Sequence, residues 1–132
     1  IKHPNEKSMA TLTKQEIISQ RKKCQEQVFR LQEQKLADLE EHKITVDEFD
    51  QITARQGAIQ NKINELNVLV IETGINEITI GDDSPGTRLR ASISQLESAI
   101  NELDKMREFL SSVASVIKSL SAIIGALDAV LP

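Results

Sequence analysis

The side chains that could carry catalytic chemistry are few in this sequence. It has one cysteine, Cys24, and two histidines, His3 and His42, so a Cys-His or Ser-His-Asp arrangement has little to draw on. Cys24 lies on the apolar face of a predicted helix, which is typical of a small core residue rather than a nucleophile. The sequence contains neither a Gly-x-Gly-x-x-Gly motif nor a P-loop. We therefore expect no catalytic residues and no enzymatic activity.

Metal and cofactor sites are equally hard to build from these residues. One cysteine cannot form a thiolate zinc site, and the Glu-x-x-His spacing of di-iron bundles is absent. Asp82 and Asp83 lack the spacing and the closing glutamate of a calcium loop, so we interpret them as part of a turn. We expect no metal, no cofactor and no small-molecule substrate.

Composition and charge narrow the classes of partner. Hydrophobic residues make up 39% and charged residues 27% of the 132 residues, and the only aromatic residues are three phenylalanines. Such low aromatic content argues against binding by ring stacking and favours long helices. The net charge is −4, and the excess acid lies in residues 43–86, which carry three basic and eight acidic side chains. No segment is strongly basic, which argues against nucleic-acid binding.

Two helices are predicted in the first half of the chain, each opened by a capping box. Thr13 and Glu16 open a helix over about 13–41, and Thr45 and Glu48 open a second over about 45–73, which Gly74 ends as a left-handed cap. The apolar set of the first helix is Ile17, Ile18, Cys24, Val28, Phe29, Leu31, Leu36 and Leu39. The seam of the second is Phe49, Ile52, Gln56, Ile59, Ile63, Leu66 and Val70. Gln56 either pairs with a polar partner across the seam and sets the register, or sits at a tolerant site.

The connection over 75–84 contains a short segment, 75–80, that alternates like a strand. Since a lone strand has nothing to pair with in a helical chain, we interpret it as an ordered apolar loop or an extension of the second helix. A strand that pairs with a second copy of the chain is the alternative. Ser84 and Pro85 then provide the cap and the first residue of a third helix.

The third helix is predicted over about 85–131, with a break near Ser111 and Ser112 if it has one. Its apolar residues recur in alternating steps of three and four, but the step from Leu103 to Met106 is three where four would continue the pattern. This phase slip indicates a rotation of the seam or a bend. Because the last third would expose a long apolar stripe, it needs a partner: this chain as a fourth helix, another chain, or lipid.

The predicted fold class is all-α: an elongated antiparallel three- or four-helix bundle with coiled-coil-like heptad seams. Residues 1–8 read as a polar tail or vector-derived residues, and 9–132 as a single helical-bundle domain. No signal peptide is visible, so we expect a cytoplasmic protein or one exported by a route that needs no leader.

The function predicted from these patterns is non-enzymatic: a helical interaction or assembly protein that acts through coiled-coil seams as an oligomer. Its partner would be itself or another helical protein. The interaction seam would consist of Leu89, Ile93, Leu96, Ile100, Leu110, Ile117, Leu120, Ile124 and Leu127.

The alternative is a membrane-active or pore-forming, toxin-like subunit that uses the amphipathic segment 109–131. This segment has only two formal charges, Lys118 and Asp128, and small residues recur at four-residue spacing along two rows. The rows are Ser111, Ser115 and Ser119, and Ser121, Gly125 and Ala129. No aromatic belt or basic flank accompanies them, so a conventional transmembrane helix is not expected.

Overall fold

A computed structural model describes residues 10–74, 76–80 and 85–130 of the chain. These residues form β1 (Ala10–Thr13), α1 (Lys14–Glu40), α2 (Val46–Thr73), β2 (Glu77–Ile80), α3 (Pro85–Ile100) and α4 (Met106–Asp128). The four helices pack against one another, which confirms the all-α bundle. The predictions for residues 1–8, for Asp82 and Asp83 and for the Ser84 cap lie outside the described residues.

The helix ends follow the local signals in the sequence. Thr13 accepts a hydrogen bond from the Glu16 amide (3.1 Å), and the Glu16 carboxylate accepts one from the Thr13 amide (3.2 Å). Thr45 and Glu48 repeat this exchange at the start of α2, at 3.1 Å and 2.8 Å. Gly74 ends α2 with a φ of 60°, the left-handed conformation that glycine adopts most readily. Both capping boxes and the glycine cap are confirmed.

The bundle consists of two helical hairpins that cover each other. α1 and α2 form one hairpin and α3 and α4 the other, with α3 packed on α1 and α4 packed on α2. α1 and α3 run in the same direction, because Glu16 pairs with Arg90 (4.0 Å) and Arg30 donates to Asn101 (2.9 Å). The helices therefore follow one another around the bundle in the order α1-α2-α4-α3. Because α2 and α3 lie at opposite corners, the connection between them crosses one end of the bundle diagonally.

A two-stranded antiparallel ribbon lies at that end. β1 pairs with β2 from Ala10 opposite Ile80 to Thr13 opposite Glu77, and the Lys14 amide donates to the Asn76 carbonyl. The expectation of a loop, a helix extension or a strand between copies for 75–80 was therefore wrong over the described 76–80. The partner strand belongs to the same chain and has only four residues, too few to show an alternating pattern.

The predicted third helix is two helices, and its break lies at 101–105 rather than at Ser111 and Ser112. The amides of Asn101, Glu102 and Lys105 donate to carbonyls three residues back, which tightens the chain into a turn. Leu103 is fully buried there, at the phase slip of the apolar pattern. Ser112 lies inside α4, where its buried hydroxyl is satisfied by donating to the Phe109 carbonyl (2.8 Å).

The core is built mainly from leucine, isoleucine and valine, and Phe109 is its one fully buried aromatic side chain among the described residues. Phe109 is fully buried, Phe49 is half-buried and Phe29 is 62% exposed. The low aromatic content of the sequence therefore corresponds to helix seams filled by aliphatic side chains.

Candidate interaction surface

The residues of the predicted interaction seam lie mainly inside the bundle. Seven of the nine are buried, with at most 6% of each side chain exposed: Leu89, Ile93, Leu96, Ile100, Leu120, Ile124 and Leu127. Leu110 and Ile117 are half-buried against the same core. The seam therefore joins the α3–α4 hairpin to α1 and α2 of its own chain.

The candidate catalytic groups do not form a site. Cys24 has 1% of its surface exposed, and burial raises the pKa of its thiol to about 12, so the thiolate that a nucleophile needs is strongly disfavoured. His42 is exposed in the turn between α1 and α2, with a φ of 62°. Among the described residues, no group of three or more His, Cys, Asp or Glu side chains is placed to hold a metal ion.

Polar side chains bridge α1 and α2 along one edge of their contact. Gln56 donates to Gln32 (2.9 Å), which confirms the alternative in which Gln56 pairs across the seam. Gln25 and Gln60 donate to each other, at 2.7 Å and 3.0 Å. Because each amide bonds well to only one position on the facing helix, these pairs specify the register of the hairpin.

Lys35 closes this edge near the turn. Its ammonium donates to the Thr53 hydroxyl (2.8 Å) and lies 4.9 Å from the centre of the Phe49 ring. Only 3% of the residue is exposed, and burial lowers the pKa of the ammonium. The head of Lys35 is therefore satisfied within the hairpin.

Gly125 of α4 does not serve to bring another described helix close. A Cβ added at Gly125 would meet no atom within 4 Å, and Ser119 is buried in the core. A groove of about 700 Å³ lies between α3 and α4 and is lined by serines such as Ser94, Ser98 and Ser111 with charged residues at its rim. The outer surface of the α3–α4 hairpin is thus mostly small or polar.

Exposed large apolar side chains are instead concentrated on the α1–α2 hairpin. Six such side chains occur among the described residues, and five of them belong to this hairpin: Phe29, Leu36, Val46, Val68 and Ile71. Ile71, which is 78% exposed, lines a groove of about 360 Å³ between α1 and α2 near the ribbon. The apolar residue types alone did not identify this surface in the sequence; the polar residues that share their helix faces are the signal that could have done so.

The helix α4 has a second property that bears on function. Its most apolar stretch of 18 residues has a mean hydropathy of 1.7, and 44% of that stretch is buried in the bundle. By length and composition the 23-residue helix could therefore cross a bilayer. Among the described helices it alone has this character. Core helices of soluble bundles often have the same length and apolar composition.

Comparison with known proteins identifies no relative of this chain. No protein family, curated protein or solved structure matches this chain.

Proposed function

We propose that this protein is a non-enzymatic helical assembly protein that functions as an oligomer. The observation that supports this proposal is the uneven distribution of its exposed apolar side chains. Phe29 is 62% exposed, Val46 65% and Ile71 78%, all on the α1–α2 hairpin. Outside this hairpin, Val130 is the one large apolar side chain that is exposed in the described part of the chain.

This asymmetry has an energetic consequence. Covering apolar surface contributes roughly 25 cal/mol for each Å² removed from water, whereas leaving it exposed gains nothing. The α3–α4 hairpin presents small or charged residues such as Ala91, Ser94, Ala114 and Lys118 to solvent, so exposure of large apolar side chains is not general in this fold. A partner that covers the α1–α2 hairpin would stabilise the assembly without disturbing the core.

Light scattering coupled to size-exclusion chromatography tests the proposal on the full chain. Refractive-index detection is required because the chain has no tyrosine or tryptophan. We expect the mass to rise above the 14.7 kDa of one chain as the protein concentration increases. A mass of one chain from roughly 1 μM to roughly 1 mM, the range in which weak interfaces dissociate, would refute the proposal.

A second candidate function, a membrane-active protein, is favoured by the composition of α4. The 23 residues of Met106–Asp128 would span about 35 Å as a helix, enough for the hydrocarbon core of about 30 Å. In this function α4 would leave the bundle and enter the bilayer. The proposal requires that its buried face exchange contacts with α2 and α3 for contacts with lipid.

A charge placed on the exposed side of α4 separates the two candidates. Ala114→Asp changes an exposed residue near the middle of α4, so the soluble bundle should tolerate it. At the centre of a membrane helix an aspartate costs about 3 kcal/mol, so insertion should fall about 100-fold. Dye release from lipid vesicles measures this, with Ala91→Asp on the exposed side of α3 as the matched control. Absence of dye release by the unmodified protein would refute the membrane function.

A further inference from the structure

The groove between α1 and α2 beside the ribbon joins apolar surface to two basic side chains. Ile17 and Leu66 form its base and are 3% and 0% exposed, and the half-buried Ile18 and Val70 form its sides. Ile71, the most exposed of the large apolar side chains in the described residues, stands at its edge. The volume of about 360 Å³ is within the range of small-molecule sites.

One end of this groove is polar, because the register of the hairpin brings a guanidinium level with an amide. Gln32 and Gln56 are hydrogen-bonded across the hairpin (2.9 Å). A step of eleven residues makes three helical turns and returns to the same face of a helix. Such a step toward the ribbon on each helix leads to Arg21 and Asn67, both of which line the groove. Arg21 and Asn67 therefore lie level with each other at the end farther from the ribbon.

The other end of the groove, next to the ribbon, is formed by Lys14 and Ile71. The same step of eleven residues leads to them from Gln25 and Gln60, which donate to each other. From Arg21 back to Lys14 the helix rises about 10 Å. An extended chain covers about 3.4 Å with every three bonds, so about nine bonds fit along this length. The groove thus suits a ligand with one polar end and an unbranched apolar body.

The charges in the lining of the groove are both positive, and both are unpaired. Lys14 and Arg21 are the ionisable residues among the described residues that line it. Within the described part of the chain, neither side chain takes part in an ion pair or a hydrogen bond. Glu16, which lies between them in the sequence, is directed at α3, where it pairs with Arg90 (4.0 Å). In a chain with a net charge of −4, this groove is locally complementary to an anion.

We propose that this groove binds a medium-chain fatty acid, with its carboxylate at Arg21 and Asn67 and its alkyl chain directed toward Ile71. A guanidinium can donate two parallel hydrogen bonds to a carboxylate, and the Asn67 amide supplies a further donor. The chain lies on the aliphatic sides of the groove, and the stem of Lys14 packs beside its end while the ammonium adds positive potential.

The ligand is a free acid rather than a lipid held in a bilayer, because its chain contacts the protein along its whole length. This site goes beyond the assembly function and does not depend on it, since all of its residues belong to one hairpin of one chain.

A series of ligands tests both parts of the site on the full chain. Titration of the ¹⁵N-labelled protein, followed by nuclear magnetic resonance of its backbone amides, gives both the dissociation constant and the location of binding. A fully buried CH₂ group tightens binding about fourfold, and a groove that covers about half of each group gives about twofold. Decanoate should therefore bind at least tenfold more tightly than hexanoate. Octanoate should bind at least tenfold more tightly than 1-octanol, which has a chain of the same length without the carboxylate.

Matched variants assign the two ends of the ligand. Arg21→Gln should raise the dissociation constant of octanoate at least tenfold and leave that of 1-octanol unchanged, whereas Lys22→Gln, at an exposed residue outside the groove, should change neither. Ile71→Ser should weaken decanoate more than hexanoate, because the longer chain reaches this end. Val46→Ser makes a similar change at an exposed residue away from the groove and should have no effect. Far-ultraviolet circular dichroism verifies that each variant is folded.

The outcomes separate this inference from the assembly function. Amide shifts confined to residues 14–21 and 66–71, with the expected dependence on chain length and on the carboxylate, support the site. The proposal is overturned if decanoate causes no shifts, if the shifts lie elsewhere in the bundle, or if Arg21→Gln and Lys22→Gln bind octanoate equally well. Light scattering decides the assembly function independently, because a single chain is sufficient to form the groove.

Discussion

Replacing Leu120 with alanine tests whether the predicted interaction seam belongs to the core of a single chain. Leu120 has no exposed surface, and the change removes its Cγ and both Cδ atoms from the contact of α4 with the bundle. The lost burial alone amounts to about 2.4 kcal/mol, at about 0.8 kcal/mol for each carbon. The cavity that remains adds to this, so we expect the free energy of unfolding to fall by about 3 kcal/mol or more.

The measurement is urea unfolding followed by far-ultraviolet circular dichroism, at several protein concentrations. Leu36→Ala makes the same chemical change at a side chain that is 48% exposed, and it should cost less than about 1 kcal/mol. The loss for Leu120→Ala should not depend on protein concentration, since its contacts lie within one chain. Equal losses for the two variants, or a loss for Leu120→Ala that disappears at high concentration, would refute the assignment of Leu120 to the core.

Two further predictions concern the backbone of the α1–α2 turn and the buried thiol. His42 adopts a left-handed conformation that glycine enters without strain, so His42→Gly should raise the free energy of unfolding by about 1 kcal/mol in urea unfolding; an unchanged or lower value would contradict this. Because burial raises the pKa of Cys24 from 9.0 to about 12, deprotonation favours the unfolded chain, and stability should fall as pH rises through this interval, by at most about 1.4 kcal/mol per pH unit. Cys24→Ala should remove that part of the slope in unfolding measured across the same interval, and an identical slope in both proteins would contradict the assignment.

The fold was predictable where the sequence carries local signals. Thr13, Thr45 and Gly74 act through groups within a few residues of themselves, so the ends of α1 and α2 could be predicted closely. The order of helices around the bundle could not, because an apolar stripe fits equally well against its own chain or another. The turn at 101–105 had a signal, the phase slip at Leu103, but a pair of serines was a more familiar marker of a helix break.

The candidate surface was harder to predict than the core. Phe29 and Leu36 belong to the apolar set of α1, and nothing in their identity indicates that they face solvent while Val28 and Leu31 face the core. The residues that share their face of α1 do indicate that Phe29 and Leu36 face solvent. Glu26, Glu33 and Glu40 recur at seven-residue intervals on the same face, and a face that carries three carboxylates is not a core face.

The diagonal connection between the two hairpins makes domain swapping between chains possible, and the ribbon reduces this risk. Each hairpin buries its apolar face against the other hairpin, so two chains that exchanged α3 and α4 would keep the same contacts, and such exchange is a simple route to swapped dimers. β2 lies within the connection and is hydrogen-bonded to β1, which directly precedes α1. The chain is thereby tied back to its own first helix before α3 begins, which raises the local concentration of α3 beside its own α1. The ribbon therefore favours closure within one chain over domain swapping between chains.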